Sequence, residues 1–271
     1  MSKLKIAILF VGQIRTNSLS LVDEETNPKS IINSYNKYLF TDEWKAKIDH
    51  DIFITTDDMH LRNTFRYFGE DKIKNIHLLE PGYLLHPIIT TQIPDENHFM
   101  DIYYKNDFQG LSAYPQNIHQ FYKWYDVMNL LHNYTDNIHQ YDYIIKTRLD
   151  IEFTSNIMEC IDLLQNDEKI QLIGESDVFA IGRPTIMQNA YMNLITKPLF
   201  DFRKTNYNFK NNLITYDEYI RQKQDTGHKG YFQWTYAPET QLYESLFEFC
   251  SENNIDIDNA IKHKHVCFIL R

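Results

Sequence analysis

Cysteine is scarce in this 271-residue sequence, and Cys160, Cys250 and Cys267 lie far apart with no CxxC pair. That spacing gives no disulfide framework and fits a reducing compartment. Glycine is also sparse, at eight residues, and neither a GxxxxGK phosphate loop nor a GxGxxG dinucleotide fingerprint occurs. GxSxG and HExxH are missing too, which removes the common serine-hydrolase and zinc-protease signatures. Positive charge is in deficit: the formal net charge is -10 and the pI near 5.5. Nucleic acid is therefore a poor partner, because phosphate neutralisation needs clustered Lys and Arg. An anionic small molecule stays open, since a few cations, backbone N–H groups or a metal ion can hold phosphates on an acidic protein. No apolar run approaches the roughly 18 residues of a transmembrane segment. The stretch Ile6 to Val11 is too short for a secretory core and lacks a small-residue cleavage site. A cytoplasmic location is the expectation.

What is present reads as a folded α/β chain. Hydrophobic residues make up 43% and aromatics 14%, which argues against disorder. The run KLKIAILFVGQIRTN is continuously apolar up to Gly12, the pattern of a strand buried on both faces and released into a loop. SIINSYNKYLF has helical character, DHDIFITTDD is a second short strand ending in acidic residues, and HLRNTFRYFG is a helix stopped by Gly69. KNIHLLEPG is a third strand. Strands separated by helices predict right-handed crossovers and a mostly parallel sheet. Residues 83 to 115 are aperiodic and long enough to suggest a functional excursion. From Gln116 the residues Ile118, Phe121, Tyr122, Tyr125, Met128 and Leu131 fall at helical spacing, so this aromatic stripe covers the sheet. YDYIIKT is an inner strand that IEF continues or restarts, and KIQLIGESDVFAIGRP is one further strand with a polar break from Gly174 to Asp177. A helix follows from about Pro184 to Leu194, another starts at Pro238, and IDIDNAIKHKHVCFILR ends the chain in a strand. No repeat or linker divides the sequence, so one domain with inserted loops is the simplest reading.

In open parallel sheets, ligands gather at the carboxyl ends of the strands. Four loops meet that condition: Gly12 to Arg15, Thr55 to Asp58, Arg148 to Asp150, and Glu175 to Asp177. Together they offer carboxylates for a hard cation, arginine for phosphate oxygens and a glycine where backbone approaches a ligand. In an extended backbone Arg148 and Asp150 point to the same side. A divalent ion on Asp150 beside Arg148 would offset the charge of a departing diphosphate. An ion pair that seals the strand end is the alternative, and the three residues alone leave both open.

DYIIKTRLDIEF resembles the segment of GT-A-type glycosyltransferases in which a strand delivers an aspartate motif to the diphosphate of a nucleotide sugar. The segments KIAILFVGQIR, DIFITTDD, YDYIIKTRLDI, SDVFAIGRPTIM, PETQLYESL and the terminal ILR follow the order of WavE-like lipopolysaccharide glycosyltransferases and related proteins of bacteria and large DNA viruses. The resemblance spans nearly the whole chain, and R-x-D is its most specific part.

It implies a GT-A-like, Rossmann-related fold: a mostly parallel sheet flanked by helices, with residues 1–115 as a nucleotide-binding half and 116–271 as a metal and acceptor half. A nucleotide-diphosphate sugar would be the donor and a glycan or glycolipid the acceptor. Gly12, Gln13 and Arg15 would hold the nucleoside, and Asp57 or Asp58 the base or ribose. Asp150 would bind Mn2+ or Mg2+, with His265 as a second ligand. Arg148 stands where the usual D-x-D motif has its first acid, so it would bind phosphate itself. Asp177, and with it Arg183, would face sugar or acceptor. Glu239, at the start of a late helix, would be the base of an inverting transfer. His263, His265 and Cys267 alternate, so on one strand they would share a face. Tyr103, Tyr104, Tyr114 and the segment Tyr231 to Tyr236 would stack on sugar rings. Two rivals remain: a sugar nucleotidyltransferase, whose glycine-rich basic first loop is missing, and an inactive glycan- or protein-binding module, which the Arg148 departure favours.

Overall fold

The computed structural model describes residues 3–12, 27–57, 68, 71–80, 82, 86–90, 114–175, 177–196 and 238–269. β1 (Leu4–Val11) explains why the first apolar run does not alternate. Ala7, Leu9 and Val11 enter one core while Ile6, Ile8 and Phe10 enter another, so both faces of the strand are covered. α1 (Asn27–Ser34) continues through a π-type turn, Tyr35–Leu39, that buries Tyr35 and Leu39. α2 (Asp42–Lys47) is capped by the Thr41 hydroxyl, which accepts from the Trp44 N–H at 3.1 Å. β2 (Ile48–Thr56), β3 (Ile73–Leu78) and the short α3 (Pro87–Thr90) lead to α4 (Tyr114–Tyr134). The apolar stripe of α4 is core, as its spacing predicts: Phe121, Tyr122, Met128 and Leu131 are buried together with Trp124 and Val127.

β4 (Tyr143–Arg148) and β5 (Ile151–Phe153) are separate strands, followed by α5 (Met158–Asn166). β6 (Leu172–Glu175) and β7 (Phe179–Gly182) form an antiparallel hairpin where one interrupted strand was expected. Its turn is closed by the Val178 N–H donating to the Glu175 carbonyl at 3.1 Å. The polar break is therefore a reversal of direction, for which acidic turn residues are suited. Gly182 is fitted to its place: a Cβ there would lie 2.9 Å from the Gln171 carbonyl oxygen and 3.1 Å from Met187 Cγ. α6 (Pro184–Ile186) passes into a π-type turn, Met187–Met192. α7 (Pro238–Glu252) starts where Pro238 predicts it, then come α8 (Ile257–Ala260), β8 (Ile261–His263) and β9 (Cys267–Ile269).

Among the described residues, seven strands form one sheet in the order β3-β2-β1-β4-β7-β6-β8, with β7 alone running against the rest. β5 and β9 pair antiparallel in a small second sheet. The C-terminal stretch is thus two strands in two sheets, so His263 and Cys267 do not share a strand face. Among the described residues no helix is long and apolar enough to cross a membrane. The strand order reverses beside β1: the chain moves from β1 to β2 and β3 on one side and then to β4 on the other. That reversal opens a crevice at the carboxyl ends of β1 and β4.

Candidate functional site

The ends of β1, β2 and β4 meet at that crevice. The Gly12 N–H donates to the Thr55 carbonyl at 3.2 Å, and the Leu149 N–H donates to the Val11 carbonyl at 3.1 Å. Gly12 has φ of +94°, a conformation that side chains other than glycine rarely adopt. It lets β1 turn sharply beside the end of β4.

Arg148 and Asp150 form a two-pronged pair. Nε donates to Oδ1 and Nη2 to Oδ2, both at 2.7 Å. Asp150 is only 2% exposed and the Arg148 side chain 15% exposed. Arg148 Nη1 lies 3.8 Å from Asp177 Oδ2, which also accepts from Gln120 Nε2 of α4. Burial works against the Arg148 charge, but the bonds and charge of Asp150, aided by Asp177, push its pKa above the ordinary value. Tyr35 donates from its hydroxyl to the Arg148 carbonyl at 3.3 Å, and burial first, then Asp150, raises its pKa.

Lys146 lies two residues before Arg148 on the same face of β4. It is fully buried, and its ammonium sits 4.2 Å from the centre of the Trp124 ring and 5.7 Å from that of Tyr191. Nζ donates to the backbone carbonyl of Asp177. Burial lowers its pKa to about 7, with Arg148 acting in the same direction and Asp177 against it. On the β2 side, Lys123 Nζ donates to Asp57 Oδ2 at 2.7 Å, and Asp57 Oδ1 is buried with no hydrogen-bond partner among the described residues. Asp126 Oδ2 accepts from Thr55 Oγ1 at 2.7 Å and lies 2.8 Å from His77 Nδ1.

The residues predicted for the site thus separate into groups. Gly12, Arg148, Asp150 and Asp177 meet directly or through the bonded strand ends, and Asp57 directly follows the adjoining β2. Gln13, Arg15 and Asp58 lie outside the described residues, as do Tyr103, Tyr104 and the segment 231 to 236. Glu239 falls in the first turn of α7, and its side chain, like that of Tyr114, is outside the described set. Arg183 lies elsewhere: it follows β7 at the amino-end side of β4, where Nη2 donates to the Leu164 carbonyl at 3.1 Å and Nε to that of Ile170 at 3.3 Å. An arginine so occupied ties helix α5 to the sheet and does not face the crevice.

The two residues expected to hold Mn2+ or Mg2+ have other partners. Both oxygens of Asp150 are taken by Arg148. His265, whose side chain is 97% exposed, places Nδ1 2.9 Å from Glu175 Oε1. Glu175 Oε2 accepts from the Val266 and Cys267 N–H groups at 2.7 and 3.0 Å. Burial opposes the Glu175 charge, yet His265 and these N–H donors hold its carboxyl below the ordinary range. Among the described residues no three His, Cys, Asp or Glu side chains are grouped to hold a metal ion. As placed, these donors do not fit a resident divalent cation.

Sequence reasoning missed Lys146, Gln120, Lys123 and Trp124. The first carried a signal: a lysine inside an apolar strand, in step with Arg148. The others flank the apolar stripe of α4 at spacings of three and four, and only the packing of that helix across the strand ends reveals their partners.

No family model matches the sequence, and no curated protein does. Among solved structures the chain is similar to mouse xyloside xylosyltransferase 1 in its apo form, with TM-score 0.44 and 9% identity over 97% of this chain and 85% of that one. It is similar as well to the mannosyltransferase Ktr4p from S. cerevisiae, with TM-score 0.45 and 11% identity over 97% of this chain and 70% of that one. For Ktr4p in complex with GDP the values are 0.35 and 11%, over 90% of this chain and 53% of that one.

Proposed function

We propose that this chain is a glycosyltransferase that moves a sugar from a nucleotide-diphosphate donor to a glycan or glycolipid acceptor. The observation that carries the reading is the meeting of the Gly12 turn with Arg148, Asp150 and Asp177 at the strand-order reversal between β1 and β4. Ligands of open α/β sheets bind at that position. It is also where the R-x-D resemblance puts the donor diphosphate. Gly12 lets backbone approach the donor, Asp57 meets the base or ribose through Oδ1, which has no hydrogen-bond partner among the described residues, and Arg148 faces the phosphates with Nη1. Asp177 is the carboxylate that takes the acceptor proton, held toward Arg148 and Gln120. Glu239 is the competing base, from the first turn of α7.

A second reading has its own support. With both Asp150 oxygens closed on Arg148, a module of this fold that binds glycans or a protein without turnover is the alternative.

Calorimetry with a panel of nucleotide sugars, with and without Mn2+, tests the proposal, together with an assay for donor hydrolysis and transfer. The expected result is donor binding that Asp177→Asn keeps while turnover falls by about 10²–10⁴-fold, the usual contribution of a general base. If Glu239→Gln shows that pattern and Asp177→Asn does not, the base is Glu239. Silence toward every nucleotide sugar would favour the binding module.

A further inference from the structure

We propose that Lys146 is the positioning residue of this site: its amino group, seated on the Trp124 and Tyr191 rings, grips the Asp177 carbonyl and thereby fixes the turn that presents the Asp177 carboxylate to Arg148 and Gln120. The inference rests on reading Asp177 as a site carboxylate. The pocket around the amine is built for it. Trp124 and Tyr191 stack at 5.0 Å between ring centres, and Lys146 lies level with Leu9 on one neighbouring strand and the small Ala180 on the other. Among the described residues Lys146 makes no ion pair, and its hydrogen bond goes to a neutral carbonyl.

A methionine would fill the same space without burying an amine, which is costly when no counter-charge touches it. What the amine supplies instead is a tie between the middle of β4 and the β6–β7 turn. That turn is held from three sides: Lys146 at the Asp177 carbonyl, Gln120 at its carboxylate, and Val178 at the Glu175 carbonyl. The charged and titratable groups around the amine are Asp177 on the turn, Arg148 and Asp150 at and just past the end of its own strand, and the Cys267 thiol of β9; α4 presents the Trp124 ring to it and the Met187–Met192 turn the Tyr191 ring. Its proton comes off at about pH 7, so the tie changes character in the neutral range.

The test uses the full chain and needs no sugar or nucleotide for its first two readouts. In Lys146→Met, amide hydrogen exchange at residues 175 to 178 should quicken by about tenfold or more while the thermal midpoint at about pH 6 holds or rises. A change in indole emission over roughly pH 6 to 8, from an amine lying on Trp124, should appear in the parent and vanish in both Lys146→Met and Trp124→Phe. Lys146→Gln, which keeps a shorter N–H donor, should restore part of the turn's protection without the pH step. It also carries the test if the methionine variant does not fold. Unchanged exchange in the turn, or a pH step that survives in Lys146→Met, would overturn the proposal. A turn that loosens as expected in a chain that transfers no sugar would instead remove the transferase reading and leave Lys146 in its role. In an active chain, Lys146→Met should lower kcat by at least about tenfold with the KM for donor little changed.

Discussion

At the scale of single residues the decisive feature is the closed pair of Arg148 and Asp150. Asp150 is nearly inaccessible, and its two oxygens are matched to the guanidinium in the geometry that gives the strongest carboxylate pairing. Removing one partner from such a pair leaves a buried charge uncompensated, which costs about 3–5 kcal/mol, whereas replacing both by apolar groups of similar size is often nearly neutral. Asp150→Ala is therefore expected to lower the free energy of unfolding by about that amount, and the double variant Arg148→Leu/Asp150→Leu to lose less than Asp150→Ala alone. Equilibrium unfolding of the parent, Asp150→Ala and the double variant checks this. A loss of activity in Asp150→Ala has to be read beside that stability, because the variant damages the strand end as well as any ligand contact. Equal midpoints for parent and Asp150→Ala would mean that the pair opens readily, and Asp150 would then be available to a ligand or a cation.

At the scale of elements, α4 gathers the site. Gln120 reaches the β6–β7 turn, Lys123 the end of β2, Trp124 the middle of β4, and Asp126 both Thr55 of β2 and His77 of β3. Gln120, Lys123 and Asp126, beside its apolar stripe, are therefore bonded to the strand ends rather than part of a solvated face. Lys123→Ala is expected to cost about 1–3 kcal/mol of stability, because its pair with Asp57 is mostly buried and its loss takes this donor from the carboxylate. The same change should weaken donor binding severalfold if Asp57 holds base or ribose; calorimetry beside a melting curve separates the two effects. The helix itself was legible in the sequence because burial imprints a period of 3.6 on apolar residues. Its partners were not, since a hydrogen bond to a distant strand leaves no period behind. Continuous apolar runs likewise identified β1, β2 and β4, strands covered on both faces. The β6–β7 hairpin was misread as one strand because its turn, at Glu175 to Val178, carries neither the Asn-Gly nor the Asp-Gly signature of tight hairpins. The C-terminal histidines were misgrouped for a related reason: alternation in sequence implies a shared face only within one strand, and here the strands end at His263 and restart at Cys267.

At the scale of the whole molecule, His50 and the fully buried Lys146 shape how stability follows pH, beside His119 and His132, whose pKa values burial also lowers. His50 is held neutral: burial first, then Lys72, lowers its pKa to about 4, and Trp44 Nε1 donates to its Nδ1 at 3.2 Å, a bond that requires a bare nitrogen there. Lys146, on the central strand β4, is lowered to about 7 by burial. Both groups have folded values below their unfolded ones, so in each window the unfolded chain binds the extra proton and stability rises with pH. For His50 the contribution is complete above about pH 6.5 and is lost as pH falls toward 4. For Lys146 it grows from about pH 7 toward 10.5, with a slope of at most about 1.4 kcal/mol per pH unit. Above about pH 9 the buried Cys160 thiol, whose pKa burial raises to about 11, begins to oppose that rise. The chain is therefore expected to gain stability from about pH 4 to 6.5 and again from about 7 to 9, where proteins more often level off between about pH 5 and 8. Urea unfolding across that range should show both limbs. His50→Phe should reduce the acid limb and leave the upper one, and Lys146→Met should do the reverse, because different charged groups act on the two residues. If the upper limb persists in Lys146→Met, the buried amine is not what titrates, and both its environment and its role in holding the Asp177 turn would have to be assigned differently.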